Sequence, residues 1–441
     1  MDIPKIIEIP PGKKAKKIVD EDAKYIATST KTSPVVAAKA KNAIVEDVDG
    51  NLYIDFSAGI GVLNLGHCHP AVVNAVKEQA EKLMHFAGTD FYYEIQVELA
   101  RKLTEITPGN FAKKVFYTNS GAESNEAAIK LARWKTQRKQ FIAFIGAFHG
   151  RTMGALALTA SKPVHRDRFF PMMPGVNHIP YAYCYRCRYK LEYPSCDMWC
   201  AKILDEVYLD TFVPPEEVAG IFVEPVQGEG GYIVPPKEFL PTLKKIAEKH
   251  DMLFIDDEVQ AGFGRTGKMF AIEHFGVVPD IISIAKAMGS GIPIGAIVFN
   301  AKYDWGVEGA HSNTYGGNLV SCAAALATID VIQKEKLLER AERLGRIMNK
   351  RLNEMKEKYE LVGDVRGLGM MQATEFVKNR KTKEFAKKER DKIVELAYKR
   401  GLILLPCGKS GIRYIPPLTI EEEYLNKGLE VLESCIKDAG K

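Results

Sequence analysis

The sequence contains no apolar run that approaches the roughly 18 residues of a membrane-spanning helix. Its start, Met-Asp-Ile-Pro-Lys-Ile-Ile-Glu, lacks the long apolar core of a signal peptide. Charge of one sign is not in excess either, since 61 basic and 56 acidic residues leave a net charge of +5. The short basic cluster at residues 13–17 is soon followed by acidic residues, as in a solvated segment. We therefore expect a cytoplasmic protein that binds neither membranes nor nucleic acid.

The chain has 441 residues, enough for one large and one smaller domain with a sizeable core. Its hydrophobic content of 46% and charged content of 27% are typical of a globular protein. From residue 115, short apolar runs alternate with helical stretches, and this order predicts an α/β fold with a mainly parallel sheet. The predicted strands of this region are residues 115–118, 141–145, 221–224, 253–256, 281–285 and 296–299.

Outside that region the predicted pattern is simpler. Residues 1–45 are predicted to be mostly helical and polar, and Asp49-Gly50-Asn51 is predicted to form a hairpin turn. A long amphipathic helix is predicted from about residue 332 to 359, before a smaller α+β domain with a strand at 411–415. Further helices are predicted at residues 71–85, 93–106, 123–134 and 237–249.

One lysine stands at the end of a predicted buried strand. The apolar run 281–285 leads to Lys286, and the small residues Gly289-Ser290-Gly291 follow. Burial disfavours the charged form of a lysine, and Schiff-base chemistry on an aldehyde cofactor needs a neutral, positioned amine. A surface lysine at a strand end is the simpler interpretation of this segment taken alone. Because ligands bind at the carboxyl ends of parallel strands, the residues at the other strand ends decide between the two.

Carboxylates follow the strand that precedes Lys286. Asp256, Asp257 and Glu258 come at the end of the strand 253–256. A carboxylate buried opposite a ring nitrogen keeps a pyridinium protonated, which is the electron sink that pyridoxal phosphate enzymes need. A capped turn is the alternative interpretation of these three acidic residues.

Three other strand ends carry residues suited to an anionic, planar ligand. A helix opens at Ser120-Gly121-Ala122, where backbone N–H groups bind phosphate, although the lack of a P-loop lysine argues against a nucleotide. Phe148 is placed to stack on a planar cofactor and Arg151 to hold a carboxylate, unless they are a core aromatic and a surface arginine. The glycine-rich segment 224–231 allows close backbone approach beside its carboxylates.

Together these motifs resemble those of the class-III aminotransferases, which include ornithine, acetylornithine and 4-aminobutyrate aminotransferases. The resemblance covers roughly residues 35–435 and implies a fold-type I transferase that depends on pyridoxal 5′-phosphate (PLP). Such a protein has a mainly parallel central sheet in a large domain and a smaller α+β domain. The predicted boundaries are residues 1–70 for an N-terminal segment that joins the small domain, 71–330 for the large PLP-binding domain and 331–441 for the C-terminal small domain.

The resemblance also implies the cofactor contacts. Lys286 would hold PLP as a Schiff base and move the proton, while Asp257 would pair with the pyridinium nitrogen. A homodimer or larger homo-oligomer with shared sites is implied, because one phosphate ligand comes from the partner subunit in this family. The remaining implied contacts are Ser120, Gly121 and Ala122 at the phosphate, Phe148 and Val259 on the ring faces, Gln260 near the phenolic oxygen, Glu224, and Thr314 across the interface.

Four further residues match positions that bind substrate in the family. Arg413 matches the arginine that binds a substrate α-carboxylate, and Glu229 matches the residue that covers this arginine for other substrates. Arg151 matches a second carboxylate binder. Ile60 stands where ornithine aminotransferases carry a tyrosine, which favours the 4-aminobutyrate branch.

The implied reaction moves an amino group from an amino acid or ω-amine to 2-oxoglutarate. Amino-acid racemisation on the same scaffold is the alternative, because both reactions begin when Lys286 removes an α-proton. They differ in where the proton returns, which the sequence does not reveal. A cofactor-free binding protein is a third hypothesis, and the presence of Lys286, Asp257 and Phe148 argues against it.

An insert at residues 181–200 departs from the family pattern. It holds four of the eight cysteines, Cys184, Cys187, Cys196 and Cys200, separated by two, eight and three residues. Four thiolates can bind zinc or iron, two disulfides are known in intracellular proteins of hyperthermophiles, and free thiols are the third alternative. No metal is assigned to the active site. The abundance of lysine and glutamate is compatible with a thermophilic source.

Overall fold

The computed structural model describes residues 3–441, and three β-sheets organise this part of the chain. The strands are β1 (Ala37–Lys41), β2 (Ile44–Asp47), β3 (Leu52–Asp55), β4 (Lys113–Thr118), β5 (Gln140–Ile145), β6 (Val176–Pro180), β7 (Val218–Val223), β8 (Leu253–Asp257), β9 (Ile281–Ile284), β10 (Gly295–Asn300), β11 (Val362–Leu368), β12 (Met371–Phe376), β13 (Leu402–Ile403), β14 (Leu405–Cys407) and β15 (Gly411–Tyr414).

Helices cover the sheets and fill the connections between strands. The α-helices are α1 (Lys13–Tyr25), α2 (Ala58–Gly61), α3 (Pro70–Lys82), α4 (Glu94–Ile106), α5 (Gly121–Thr136), α6 (Met153–Leu158), α7 (Trp199–Ile203), α8 (Leu209–Thr211), α9 (Phe239–Lys249), α10 (Leu319–Lys334), α11 (Leu337–Lys358), α12 (Lys387–Lys399) and α13 (Glu422–Ala439). A 3₁₀ turn spans Lys286–Gly289, immediately after β9.

The central sheet has seven strands in the order β4-β10-β9-β8-β7-β5-β6. Strand β10 pairs antiparallel with β4 and β9, and every other neighbouring pair is parallel. The prediction of a mainly parallel sheet is therefore confirmed. Strands β7, β8 and β9 are buried along their whole length, as expected where helices cover both faces of a parallel sheet. The carboxyl ends of β5, β7, β8 and β9 consequently lie along one edge.

Two smaller sheets join the ends of the chain. One has the order β1-β2-β3-β13, and its parallel pair β3–β13 brings residue 54 beside residue 402. The other has the order β11-β12-β15-β14 and is antiparallel. The predicted hairpin is confirmed, since β2 and β3 pair antiparallel around Gly50, whose φ is +88°. Within residues 3–45, the prediction of mostly helical structure is wrong beyond α1, because pairing with β2 makes residues 37–41 a strand.

The long helix predicted from about residue 332 begins elsewhere. Helix α10 ends at Lys334, Lys336 adopts a left-handed φ of +51°, and α11 then runs to Lys358. Helix α10 was missed because it is apolar on most sides and so lacks the polar stripe of an amphipathic helix. The predicted apolar face of α11 is buried as expected: Leu337, Ala341, Leu344, Met348, Leu352 and Met355. Between residues 3 and 441, no helix has the length and apolar character to cross a membrane.

Candidate active site

A cavity of about 730 Å³ opens at the carboxyl ends of the parallel strands. Its volume lies within the range of small-molecule and cofactor sites. The cavity gathers residues from the strand ends, from the left-handed turn after β3 and from β15. The sequence-predicted site residues that line it are Ile60, Ser120, Gly121, Ala122, Phe148, Arg151, Glu224, Glu229, Asp257, Val259, Gln260, Lys286 and Arg413.

Lys286 projects from the end of β9 into this cavity. The buried strand ends at Ile284, and the 3₁₀ turn begins at Lys286, whose φ is +44°. Its Nζ donates a hydrogen bond to Gln260 Oε1 at 3.1 Å. Burial lowers the pKa of Lys286 to about 8, although the nearby Asp257 carboxylate acts in the opposite direction. The amine is therefore partly neutral near pH 7 to 8, as a nucleophilic lysine requires.

Asp257 ends β8, the strand that pairs with β9, and its buried side chain lines the same cavity. Its Oδ2 accepts hydrogen bonds from Asn125 Nδ2 at 2.8 Å and His149 Nδ1 at 2.7 Å, and its Oδ1 accepts from the Val259 N–H at 3.0 Å. Burial alone would lower the pKa of His149, but the hydrogen bond and charge of Asp257 outweigh burial and raise it. The carboxylate is thus fixed in one orientation by three donors.

The neighbouring acidic residues point away from this position, because side chains alternate along a strand. Asp256 is fully buried, and its two carboxyl oxygens make no hydrogen bond. Burial raises the pKa of Asp256 well above its usual range and raises that of Glu258 to about 8. Asp257 is therefore the member of the triplet that lines the cavity.

Glu224 links two loops at the rim. Its Oε2 accepts from the Phe148 N–H at 3.1 Å, and its Oε1 accepts from the Gly228 N–H at 3.0 Å. Burial raises the pKa of Glu224 to about 7. Glu224 therefore positions the loop of Phe148, whose ring has the Arg151 guanidinium 5.6 Å above it and the His165 ring edge-on at 5.6 Å.

The N-terminus of α5 faces the same cavity. Ser120 is the N-cap residue, and its Oγ accepts from the Glu123 N–H at 3.2 Å. A Cβ atom at Gly121 would lie 2.6 Å from Val259 Cγ1, so only glycine allows the helix to approach Val259 this closely. The first N–H groups of an α-helix have no partner within the helix and favour an anion.

Ile60 reaches the cavity from α2, a single turn whose backbone is left-handed and so is not a right-handed helix. Residues 58–61 all have left-handed φ values, between +44° and +71°. This conformation is strained for a β-branched residue such as Ile60. Asp55 stabilises the turn, since its Oδ1 accepts from the Ser57 N–H at 2.7 Å and the Ala58 N–H at 3.2 Å. The Ile60 side chain is half exposed and lines the cavity.

A cluster of charges occupies the other end of the cavity. Glu229 Oε2 lies 3.1 Å from Arg413 Nη2, and Glu229 Oε1 accepts a hydrogen bond from Lys162 Nζ. Burial acts to raise the pKa of Glu229, but Arg413 and then Lys162 outweigh it, so this pKa is lowered. Arg413 is held in β15 and is largely buried. A single carboxylate thus bridges two cations.

Several residues that this geometry brings together were not predicted from the sequence. Asn125 lies in the helix that Ser120 caps and His149 directly follows Phe148, and their capacity to donate to a carboxylate was the available signal. Lys162 and His165 follow α6 in a segment without any motif, so nothing in the sequence singled them out. Thr30, from the N-terminal segment, also lines the cavity.

Thr314 is exposed and stands apart from the residues that line the cavity of its own subunit. Its segment is anchored to the large sheet, since Asn313 Nδ2 donates to the Tyr117 carbonyl at 2.8 Å. Gln96 Nε2 donates to the Gly317 carbonyl at 2.8 Å. The interpretation that Thr314 serves the partner's site stays a prediction.

The four cysteines of the insert line a separate small cavity of about 20 Å³. All four thiols are free. Across residues 3–441, no group of three or more histidine, cysteine, aspartate or glutamate side chains is arranged to hold a metal ion. Burial, followed by the proximity of the other three thiols, raises the pKa of Cys200 to about 12. In the structure the four side chains are thus free thiols that pack around this cavity.

Known proteins are similar to this chain over most of its length. The family model described as aminotransferase class-III matches residues 25–436. A leucine/methionine racemase from Thermococcus litoralis is 45% identical, over 92% of this chain and 91% of its own length. A probable 4-aminobutyrate aminotransferase from Bacillus subtilis is 40% identical, over 91% of this chain and 93% of its own length.

A solved structure gives the same result at the level of the fold. The ornithine aminotransferase from Toxoplasma gondii, described with partial occupancy of PLP at its active site, has a TM-score of 0.85 at 29% identity. The match covers 96% of this chain and 94% of that protein.

Proposed function

Because the chain belongs to the class-III aminotransferase family, we propose that it transfers an amino group from an amino acid or ω-amine donor to 2-oxoglutarate. The family depends on PLP and has the fold-type I architecture that the sequence predicted. We further propose that Ile60 favours 4-aminobutyrate-like donors over ornithine. Its aliphatic side chain offers no hydrogen bond to the α-amino or α-carboxylate group of ornithine.

The residues at the strand ends fit PLP. When bound, PLP supplies an electron sink for the C–H bond that breaks at the substrate carbon bearing the amino group. Lys286 would hold the cofactor covalently, Asp257 would hold the proton on its ring nitrogen, and the N-terminus of α5 would bind its phosphate. The fixed hydrogen bonds of Asp257 and the lowered pKa of Lys286 support these roles. Phe148 and Val259 line the cavity and would contact the two ring faces.

The chain's own residues would then control one proton. Lys286 would take it onto Nζ from the substrate carbon that bears the amino group and pass it on to the bound cofactor. An amine of pKa about 8 is well suited to this transfer near neutral pH. Gln260, which accepts a hydrogen bond from Lys286 Nζ at 3.1 Å, orients the amine in the meantime.

The observation that carries the proposal is the ion pair between Glu229 and Arg413. An aminotransferase accepts two different substrates at one site. An α-amino acid or 2-oxoglutarate needs Arg413 free to bind its α-carboxylate, whereas an ω-amine presents no α-carboxylate and needs that cation neutralised. A glutamate that can pair with Arg413 or leave it meets both needs.

A racemase is the second candidate, and the 45% identity to the leucine/methionine racemase of Thermococcus litoralis favours it. A racemase handles the same α-carboxylate throughout its cycle, so it has no use for a carboxylate that covers Arg413. The Glu229–Arg413 pair therefore favours amino transfer.

The deciding experiment supplies the PLP-loaded protein with single L-amino acids or 4-aminobutyrate, with and without 2-oxoglutarate. Chiral chromatography then follows glutamate and D-amino acids. We expect glutamate to form only when donor and 2-oxoglutarate are both present. D-isomer formed without any keto acid, and no glutamate from any donor, would assign racemisation instead.

We also propose a homodimer or larger assembly with shared sites. Exposed apolar side chains cluster beside Thr314: Phe86 is 56% exposed, Tyr92 98% and Tyr315 61%. Their segments touch, since Asn318 Nδ2 donates to the Met84 carbonyl at 3.0 Å and the His85 and Tyr315 rings lie 5.2 Å apart. Apolar surface of this kind marks an interface, and a second copy related by a two-fold axis is the simplest occupant.

A further inference from the structure

Lys162 gives Glu229 a second cationic partner inside the cavity. We propose that Lys162 is a positioning residue that retains Glu229 when Arg413 binds a substrate α-carboxylate, and so sets the preference between α-carboxylate substrates and ω-amines. The inference rests on the proposed amino transfer and deepens it.

The contacts of Glu229 divide between its two carboxylate oxygens. Oε1 accepts from Lys162 Nζ, whereas Oε2 lies 3.1 Å from Arg413 Nη2. The two cations differ in exposure, since the side chain of Lys162 is 34% exposed and that of Arg413 is 9% exposed. Lys162 is carried by a loop after α6, whereas Arg413 is paired on both sides within a sheet. Lys162 can therefore follow Glu229 when it moves, and Arg413 stays in place.

The need for a second partner comes from burial. The Glu229 side chain is 17% exposed, and a buried carboxylate that loses its only cation either takes up a proton or loses stability. If Arg413 were the sole partner, every α-carboxylate that bound it would leave Glu229 unpaired. Contact with Lys162 removes this cost, because Glu229 keeps its charge and a partner in both states.

The other groups near Glu229 do not replace Lys162. Lys286 is assigned to the cofactor. Burial, assisted by Arg151 and Lys162, lowers the pKa of His165, so that this ring is neutral near pH 7. The titratable and charged groups that face Glu229 are Arg413, Lys162, His165, Tyr232, Cys407 and Lys286.

The main test compares Lys162→Met with the wild-type enzyme in steady-state kinetics. We expect kcat/KM for 2-oxoglutarate and for L-glutamate to fall about tenfold, as for loss of a partly buried ion pair, mainly through KM. The value for a primary amine without any carboxylate should stay within about twofold. Lys162→Arg should restore the wild-type ratio of kcat/KM for L-glutamate to kcat/KM for the primary amine. Lys162→Gln replaces the methionine variant if that variant folds poorly. Lys399→Met, which removes an exposed ion pair with Glu395 on α12, is the matched control.

A binding measurement separates this inference from the proposed reaction. Glutarate has two carboxylates but no amino or keto group, so it binds without turnover. Calorimetry of the PLP-loaded enzyme at pH 7, in buffers with different ionisation enthalpies, counts the protons taken up on binding. We expect close to none for the wild type and up to one for Lys162→Met, because Glu229 then loses both cations.

The outcomes are distinct. If wild-type enzyme transfers no amino group from any donor, the proposed function fails, and the glutarate proton count still reports on Lys162. Equal proton uptake by wild type and Lys162→Met would overturn the inference. An equal loss of kcat/KM for L-glutamate and 4-aminobutyrate, with no change in the proton count, would assign Lys162 to the distal carboxylate of the substrate instead.

Discussion

The two ends of the cavity hold their carboxylates in different ways. Asp257 accepts three hydrogen bonds, from Asn125 on α5, from His149 in the loop after β5 and from the Val259 backbone after β8. Glu229 instead bridges two cations from separate parts of the fold, Arg413 on a small sheet and Lys162 on a loop. Asp257 therefore has a single arrangement, whereas Glu229 has partners that it can exchange. We call the part of the cavity around Asp257 the fixed end and the part around Glu229 the exchangeable end.

This difference matches what each end must do. A group that keeps a ring nitrogen protonated has to stay fixed during the whole cycle, so surplus hydrogen bonds are useful there. A group that adjusts the site to two substrates has to move, and its two states can differ by little free energy. The comparison implies that substitutions at the fixed end lower every rate, whereas those at the exchangeable end change ratios between substrates.

The largest effect is expected for Lys286→Ala. The variant should fold, lose the visible absorption of the lysine-bound cofactor and lose at least about 10³-fold in rate, because its amine both binds the cofactor and moves the proton. Absorbance spectra and single-turnover rates measure both losses. If the variant turned over at the normal rate, Lys286 would not be the residue that binds the cofactor and moves the proton.

Asp257→Asn should cost about 100-fold in kcat or more, since an amide cannot stabilise the pyridinium charge. The variant should remain coloured. Asp256→Asn is the matched control: Asp256 is buried but does not line the cavity, so its substitution should leave kcat near normal. If Asp257→Asn kept a near-normal kcat and Asp256→Asn had a low kcat, Asp256 would be the residue that holds the proton on the ring nitrogen. In Asp257→Asn, kcat should fall by the same factor with an α-amino acid donor and with an ω-amine donor.

The fixed end was also the more predictable one. Lys286 and Asp257 stand directly after apolar runs, and parallel strands bring such positions to one edge whatever the loops do. Ser120 and Gly121 open a helix in the same way. These residues follow from local pattern and sheet topology, and the structure gathers them around one cavity.

The exchangeable end depends on contacts that no local pattern encodes. Lys162 and Glu229 are 67 residues apart, and Arg413 lies on another sheet. The left-handed turn that presents Ile60 is likewise fixed by tertiary contacts, since its conformation opposes the intrinsic preference of isoleucine. Helix α10 was missed because it is largely buried and apolar on most sides, so it has no polar face to mark its period.

Thr314→Ala tests whether a second subunit completes the fixed end. Loss of one hydrogen bond to a charged phosphate should weaken PLP binding by about 1.5–3 kcal/mol. Equilibrium dialysis measures this loss. Mixing Thr314→Ala with Lys286→Ala subunits should restore up to about half the normal rate per mixed dimer, because one site then receives both defects and the other none. Absence of any restoration despite proven subunit exchange would place Thr314 outside the partner's site.

The pH dependence of cofactor uptake should reveal the lowered pKa of Lys286. Only the neutral amine attacks the aldehyde, so the rate should rise with pH up to about 8, the pKa of Lys286, and then level off. Between pH 7 and 9 the expected gain is about tenfold. Stopped-flow absorbance of apoenzyme with PLP measures it, and Nα-acetyl-lysine is the control whose rate should continue to rise beyond pH 10. A matching rise in the protein would mean that Lys286 is not buried.

The smallest effect, and the most specific to the exchangeable end, is expected for Glu229→Ala. Removal of the carboxylate leaves Arg413 and Lys162 uncovered, so an α-carboxylate binds without displacing an existing partner, whereas an ω-amine meets bare positive charge. The ratio of kcat/KM for an α-amino acid to that for an ω-amine should therefore rise about fivefold or more. Glu229→Gln, which keeps the shape but not the charge, should act in the same direction. If the pair were instead a permanent structural ion pair, both variants would lose thermal stability and slow every substrate equally, leaving the ratio unchanged. Steady-state kinetics with both donors, alongside the melting temperature of each variant, distinguishes the two cases.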